Sequence, residues 1–122
     1  MMNTLENIKI IKTILPEPWF SLVCANKKTI YGTLYKSKFK NLIKNDIIEF
    51  INKDLGFIRS IHVRVQNINY YDSFNNMLKF EDGDKSLPYV DGNTNKLKVY
   101  NKIYNIKEQN QYGVIAISIK LI

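Results

Sequence analysis

Pro16-Glu17-Pro18-Trp19-Phe20-Ser21-Leu22-Val23-Cys24-Ala25-Asn26-Lys27-Lys28-Thr29-Ile30-Tyr31-Gly32-Thr33-Leu34-Tyr35 is the stretch whose reading decides the fold. The two prolines set a turn, and proline suits the opening of a helix because its missing N–H is unpaired there anyway. Trp19, Phe20, Leu22 and Val23 then give the helix one apolar face. Asn26-Lys27-Lys28 ends it, and the β-rich run from Thr29 to Tyr35 follows. Gly32 inside that run marks a bulge or a close backbone approach.

Working outward, Ile8, Ile10, Lys12 and Ile14 alternate with Lys9, Ile11 and Thr13, which predicts a strand before the turn. On the other side, Phe39, Leu42 and Ile43 fit a short helical or turn segment. Lys44-Asn45-Asp46 turns into a compact apolar strand, Ile47-Ile48-Glu49-Phe50-Ile51, and Asp54-Leu55-Gly56 reads as a hairpin turn. The next strand runs from Phe57 to about Tyr70, with Ile61, Val63 and Val65 toward the core and Ser60, His62, Arg64 and Gln66 opposite. Asp72 or Ser73 caps a helix over 74–80. Residues 81–84 and 87–88 read as loop. Leu97, Val99, Tyr100, Ile103 and Tyr104 have helical spacing, with Asn93 or Thr94 as cap. Gly113 to Ile119 reads as a central strand. The order β, α, β, β, β, α, α, β predicts an α+β fold, a small mixed β-barrel with flanking short helices, as a single domain over 1–122.

The 122 residues suffice for one core without staples, and the 45% hydrophobic fraction places the chain in the globular class. One cysteine, Cys24, allows neither an internal disulfide nor a multi-cysteine metal site. In its apolar helix it reads as inert core. No run approaches the ~20 apolar residues that span a bilayer. Met1 to Glu6 lack the basic-then-apolar layout of a secretory leader, so the expectation is a cytoplasmic or nuclear protein without membrane contact. The net charge of +7 favours polyanions such as nucleic acid. The plain alternative is compositional: lysine carries nearly all the charge, and abundant Asn and Ile suit an AT-rich genome such as that of a large DNA virus.

The ordered series Pro16 to Phe20, Asn26 to Ile30, Tyr31 to Leu34, Ile43 to Phe50, Tyr70 to Leu78, Leu87-Pro88, Tyr100 to Tyr104 and Tyr112 to Ile117 resembles the ASCH domain family, of the PUA-like superfamily. The likeness runs from about residue 8 to the end. It implies a PUA-like barrel with a cleft between its mouth and the flanking helices, receiving RNA or modified nucleosides. No cofactor is expected, and with His62 as the single histidine nothing gives metal-ligand spacing. Lys28 and Thr29 match the lysine-threonine pair that stands at the cleft in family members. A bacterial branch hydrolyses N4-acetylcytidine with a lysine, a threonine three residues later and a distant glutamate. Lys28 matches that lysine, but Tyr31 stands in place of the threonine nucleophile. Other members carry glutamate, glycine and arginine where this chain has Tyr31, Gly32 and Thr33. A phenol titrating near 10 does not replace a carboxylate base at neutral pH. Thr33, on the same side of the strand, is the remaining hydroxyl, and Glu81 falls in the region of the distant carboxylate.

On this reading the candidate ligand-binding residues are Lys28, Thr29, Tyr31, Thr33, Tyr70, Ser73 and Tyr104, and the candidate catalytic set is Lys28, Thr33 and Glu81. Tyrosines beside lysines are how single-stranded bases are stacked and their phosphates held. Each has a plain counterpart. Lys28 could be a helix-end lysine facing the dipole, Tyr100 and Tyr104 a core pair at i and i+4, and Ser73 a helix cap. The face of Ser60, His62, Arg64 and Gln66 reads first as a solvated strand face, and Lys36, Lys38, Lys40 and Lys44 as a solvated turn that could still guide a phosphate backbone. The leading expectation is an RNA- or nucleoside-binding module. A nucleoside- or RNA-directed hydrolase comes second. A protein-interaction module, its partner surface marked by exposed tyrosines, comes third.

Overall fold

The structure, a computed structural model, describes residues 7–122; the stretch Met1–Glu6, read above for a leader, lies outside the described residues. Its elements are β1 (Ile10–Ile14), α1 (Trp19–Cys24), β2 (Ile30–Leu34), a 3₁₀ turn (Ser37–Asn41), β3 (Ile47–Asn52), β4 (Arg59–Tyr71), α2 (Phe74–Phe80), α3 (Gly83–Ser86), α4 (Gly92–Ile103), α5 (Ile106–Tyr112) and β5 (Val114–Leu121). The strands form one sheet in the order β1-β3-β4-β5-β2. β1 runs parallel to β3, and every other pair is antiparallel.

β4 shapes the sheet. Its first half pairs with β3 and its second half with β5, and the register slips between Val65 and Asn67. One extra residue there bends the strand and increases its twist. The sheet therefore curls into a half-barrel whose rims are β1 and β2. Across the open seam Lys38 Nζ donates to the Lys12 carbonyl, and the Tyr31 phenol meets Thr13. The expected α+β architecture, a small mixed barrel with flanking short helices, is what the chain adopts.

Alternation along β2 serves two cores, because successive side chains point to opposite faces. Tyr31 joins Phe50, Val63, Val65, Ile115 and Ile117 inside the curl. Ile30 and Leu34 face the other way, toward Phe74, Met77, Leu78 and Tyr100 of the helical layer. Phe50 and Phe74 are fully buried in their respective cores, and truncating either to alanine would cost about 3–5 kcal/mol.

Several details depart from the sequence reading. The loop expected after α2 contains α3, capped by Asp82. α4 begins at Gly92 with Asp91, not Asn93 or Thr94, as its cap residue. α5 had no counterpart in the expected order. It starts at Asn105, whose side chain accepts from the Glu108 N–H at 2.7 Å, and it ends at Gly113 with φ 74°. Its anchor is the buried amide of Gln109, which donates to Asn101 Oδ1 at 2.8 Å and the Tyr104 carbonyl at 3.0 Å and accepts from the Phe74 N–H at 3.1 Å. Cys24, expected in the core, is exposed at the end of α1. α1 is only six residues long, and Phe20 and Val23 take its buried face.

Candidate functional site

α1 ends at a sharp reversal. Asn26 adopts φ 60°, the left-handed conformation that asparagine tolerates at a helix end, and the Lys27 and Lys28 N–H groups both bond the Leu22 carbonyl. The reversal turns Lys28 inward as β2 begins. Its side chain passes beneath Trp19, with Nζ 5.6 Å from the indole centroid and 5.9 Å from the Tyr31 ring. The ammonium donates to the Ile30 carbonyl at 2.9 Å and to the Ser86 carbonyl of α3. The Ser86 hydroxyl bonds the Tyr100 phenol in turn. Lys28 is thus neither a solvated helix-end lysine nor ion-paired: no carboxylate stands against it among the described residues.

Burial without a counter-ion disfavours the charged form, and the Lys28 pKa is pushed down from 10.5 to about 7. An ammonium has three N–H donors, and two of Lys28's are taken by carbonyls. The group can therefore offer a charged donor below neutrality and a free amine above it.

Beside it lies a cavity of about 160 Å³. Leu15, Pro16 and Trp19 form one wall, from the end of β1 and the start of α1. Lys28, Tyr31 and Gly32 form the floor, and Leu87, Tyr100 and Tyr104 close the helical side. Gly32 is required by this packing: a Cβ there would stand 2.9 Å from the Tyr100 hydroxyl. The close backbone approach expected at this glycine is present. Ile14 and Ile103 complete the rim and are half open to solvent, at 53% and 56% exposure. The interior is apolar and aromatic except for the ammonium and the tyrosine hydroxyls. The volume is well below the ~300 Å³ at which drug-sized sites begin.

The Tyr31 phenol sits among the hydroxyls of Thr13, Thr33 and Tyr104, and burial pushes its pKa far up. It remains a neutral phenol and cannot serve as a base. Tyr104 donates to Thr33 Oγ1 at 3.2 Å. Beyond Tyr104 opens a second, wider cleft of about 420 Å³, lined by Thr33, Leu34, Lys36, Ser37, Lys38, Phe39 and the same Tyr104.

Of the sequence candidates, Lys28, Tyr31 and Tyr104 meet in the cavity, and Thr33 touches its edge through Tyr104. The others do not join them. Thr29 is half-buried, with its backbone bonded to Lys85 and Ile119. Tyr70 is 60% exposed and packs edge-on against Tyr35, 5.3 Å away. Ser73 is the cap of α2, accepting from the Asn76 N–H at 3.1 Å. Glu81 binds the Tyr71 phenol and the Asn69 amide, so the set Lys28, Thr33 and Glu81 is not assembled. Burial first, and Glu81 second, raise the Tyr71 pKa to about 12. Among the described residues no group of His, Cys, Asp and Glu could hold a metal. Of the β4 outer face, His62 pairs with Glu49 at 2.9 Å and Arg64 donates to the Asn45 carbonyl at 3.1 Å, as a solvated strand face would. Sequence reasoning missed Trp19, assigned there to the core stripe, together with Leu87 and Ile103. The available signal was that the only tryptophan stands one short helix before the lysine.

No family model matches the chain, and no curated protein matches it. Solved structures do. The crystal structure of hypothetical protein PH0355 superposes with a TM-score of 0.82 at 34% identity, over 93% of this chain and 99% of that one. This chain belongs to the same family. The solution structure of protein PF0455 from Pyrococcus furiosus gives a TM-score of 0.73 at 32% identity, over 93% of this chain and 97% of that one. The overlap is nearly the whole of each chain, so the curled sheet and the helical layer both belong to the family's shared frame. Among the described residues no helix is long and apolar enough to cross a membrane.

Proposed function

We propose that the chain is a single ASCH-type domain that binds one unpaired nucleobase, of RNA or of a nucleoside, in the cavity over Lys28. The observation that carries this reading is the buried ammonium with no carboxylate partner on the floor of an aromatic cavity. Trp19, Tyr31 and Tyr104 offer flat faces of the kind on which bases stack, and each stacked base contributes about 1–3 kcal/mol. Lys28 offers a donor to a base carbonyl. The small volume suits a single planar ring system better than a large ligand.

Trp19 is the only tryptophan, so its fluorescence reports directly on the cavity. Titration with the four ribonucleosides at pH 6 should quench it, most strongly for bases that carry a ring carbonyl. Lys28→Met should weaken that binding by about tenfold or more, as loss of a charged hydrogen bond does. Affinity should also fall as the pH rises through about 7, where Lys28 loses its proton. Unchanged emission with every nucleoside, or affinity indifferent to Lys28→Met, would refute the reading.

Hydrolysis is the second reading, favoured by one observation: a lysine titrating near 7 is partly free amine at neutral pH. Turnover of N4-acetylcytidine in the same titrations, lost in Lys28→Met, would put it first. The engagement of Glu81 with Tyr71 and Asn69 argues against it.

A further inference from the structure

The cleft beyond Tyr104 has no role in the cavity's reading, yet one side chain separates the two. Tyr104 lines both, and its hydroxyl is held by Thr33, which faces the cleft. The chemistry of the two compartments differs sharply. The cavity is apolar around one ammonium. The cleft is basic and hydroxylated: Lys36, Ser37 and Lys38 come from consecutive positions, with Thr33 on the adjoining strand.

The local backbone puts these groups there. Ser37 adopts φ 55°, a left-handed conformation that serine rarely takes, at the start of the 3₁₀ turn. Lys36 and Lys38 are held on either side of it by different means. Lys36 Nζ lies 2.6 Å from a Glu108 oxygen and 5.0 Å from the Tyr112 ring centroid. Its charge is largely compensated. Lys38 Nζ donates to the Lys12 carbonyl across the seam and sits 5.8 Å from the Phe39 ring centroid. Among the described residues no carboxylate pairs with Lys38. One uncompensated ammonium, one compensated ammonium and the side chains of Thr33, Ser37 and Tyr104 thus border a cleft that holds no carboxylate in its lining. Such a surface favours a phosphate, which takes charge-assisted hydrogen bonds from lysine and neutral ones from hydroxyls.

We propose that this cleft seats a phosphate covalently attached to the nucleoside whose base occupies the cavity, with Tyr104 as the wall between base and phosphate. The inference rests on the nucleobase reading and narrows it: the preferred ligand is a phosphorylated nucleoside, free or within a single strand, over a free base or unmodified nucleoside. Lys38 supplies the charge, the exposed Ser37 a neutral donor, and Glu108 fixes Lys36 at the cleft edge.

The test uses Trp19 fluorescence on the full chain at low salt, with uridine, cytidine and guanosine, their 5′- and 3′-monophosphates, and hexauridylate RNA. For at least one base, a monophosphate should bind about tenfold or more tighter than its nucleoside, as one added charged hydrogen bond predicts. Lys38→Ala should remove that advantage, read as the ratio of the two affinities, because any loosening of β1 through the lost bond to Lys12 weakens nucleoside and monophosphate alike. Lys38→Arg, which keeps the charge, should preserve it. The salt dependence of monophosphate binding should flatten in Lys38→Ala as well. Equal affinity for nucleoside and monophosphate, or an advantage that survives Lys38→Ala, would overturn the proposal while the cavity reading stands. No binding by any of these ligands would overturn both. Tighter binding of hexauridylate than of either uridine monophosphate, lost in Lys38→Ala, would identify the source as single-stranded RNA. Equal binding would identify the free nucleotide.

Discussion

Two lysines are buried in this molecule to the same degree, each 3% exposed, and they stand in opposite situations. Lys96, on α4, reaches Asp84 of α3 at 2.9 Å and the Val90 carbonyl at 2.6 Å, and its stem packs over Gly83. It ties two helices and the loop between them together. Lys28 has two carbonyls and no carboxylate, and its aromatic neighbours are the walls of a cavity. Burying an ammonium costs the charged form its hydration, and a carboxylate restores part of that loss where bare carbonyls restore less. Lys96 therefore explains itself by the contacts it makes. Lys28 does not, and it stands on the floor of the cavity.

The difference can be broken first through pH, where the largest effect is expected. The Lys28 pKa is about 7 in the folded chain and near 10.5 when exposed. Between those values the unfolded chain binds more protons than the folded one, so stability rises with pH across the window. Below about 7 the folded state carries the full cost of the buried charge. The change across the window is on the order of a few kcal/mol. Denaturant unfolding of wild type and Lys28→Met from pH 6 to 9.5 should show the wild type gaining on the variant as pH rises. Parallel profiles would mean that Lys28 is not held bare.

A smaller effect comes from closing the space beside Lys28. Gly32→Ala would put a methyl 2.9 Å from the Tyr100 hydroxyl and 3.1 Å from its ring carbon. That ring is stacked on Phe74 at 4.3 Å and bonded to Ser86, so it has little room to yield. A loss of about 1–3 kcal/mol is expected from thermal unfolding, the usual range for an overpacked core. Ligand binding should fall as well, because Ser86 also holds the Lys28 ammonium. The smallest effect tests Lys96. Asp84 is 85% exposed, so Asp84→Asn should cost under about 1 kcal/mol at pH 7. A larger loss would mean that Lys96 depends on its counter-ion more than on the Val90 carbonyl.

The strands were legible because their residues alternate or run apolar. β3 and β5 are rich in Ile, Val and Phe, and Val63 and Val65 face inward where the period of two puts them. α5 was not legible: between Ile106 and Tyr112 it is wholly polar, so no apolar stripe marks it. Its stability comes from Gln109, an amide whose three partners lie on other elements. At the site, Lys28, Tyr31 and Tyr104 followed from the resemblance and the tyrosine supply. Trp19 did not, because its neighbours Phe20 and Val23 supply the core face of the same helix. Tyr70 and Glu81 lie apart from the cavity for a different reason. Which face of a bent strand or helix end a residue occupies depends on the register slip in β4, and the sequence pattern does not mark it.

The open seam has an energetic consequence of its own. β4 and β5 are paired on both sides, while β1 and β2 each have one edge outside the ladder. What spans the gap is side-chain bonding, Lys38 to the Lys12 carbonyl and Tyr31 to Thr13. Opening of such a rim requires far less free energy than global unfolding. The cavity wall contributed by Leu15 and Pro16 continues directly from β1, so it is carried by this rim, with Leu15 tied to Ile51 and Asn52 of β3. A guest seated against it would be counted twice, once through its own contacts and once through the fluctuations of β1 that it suppresses.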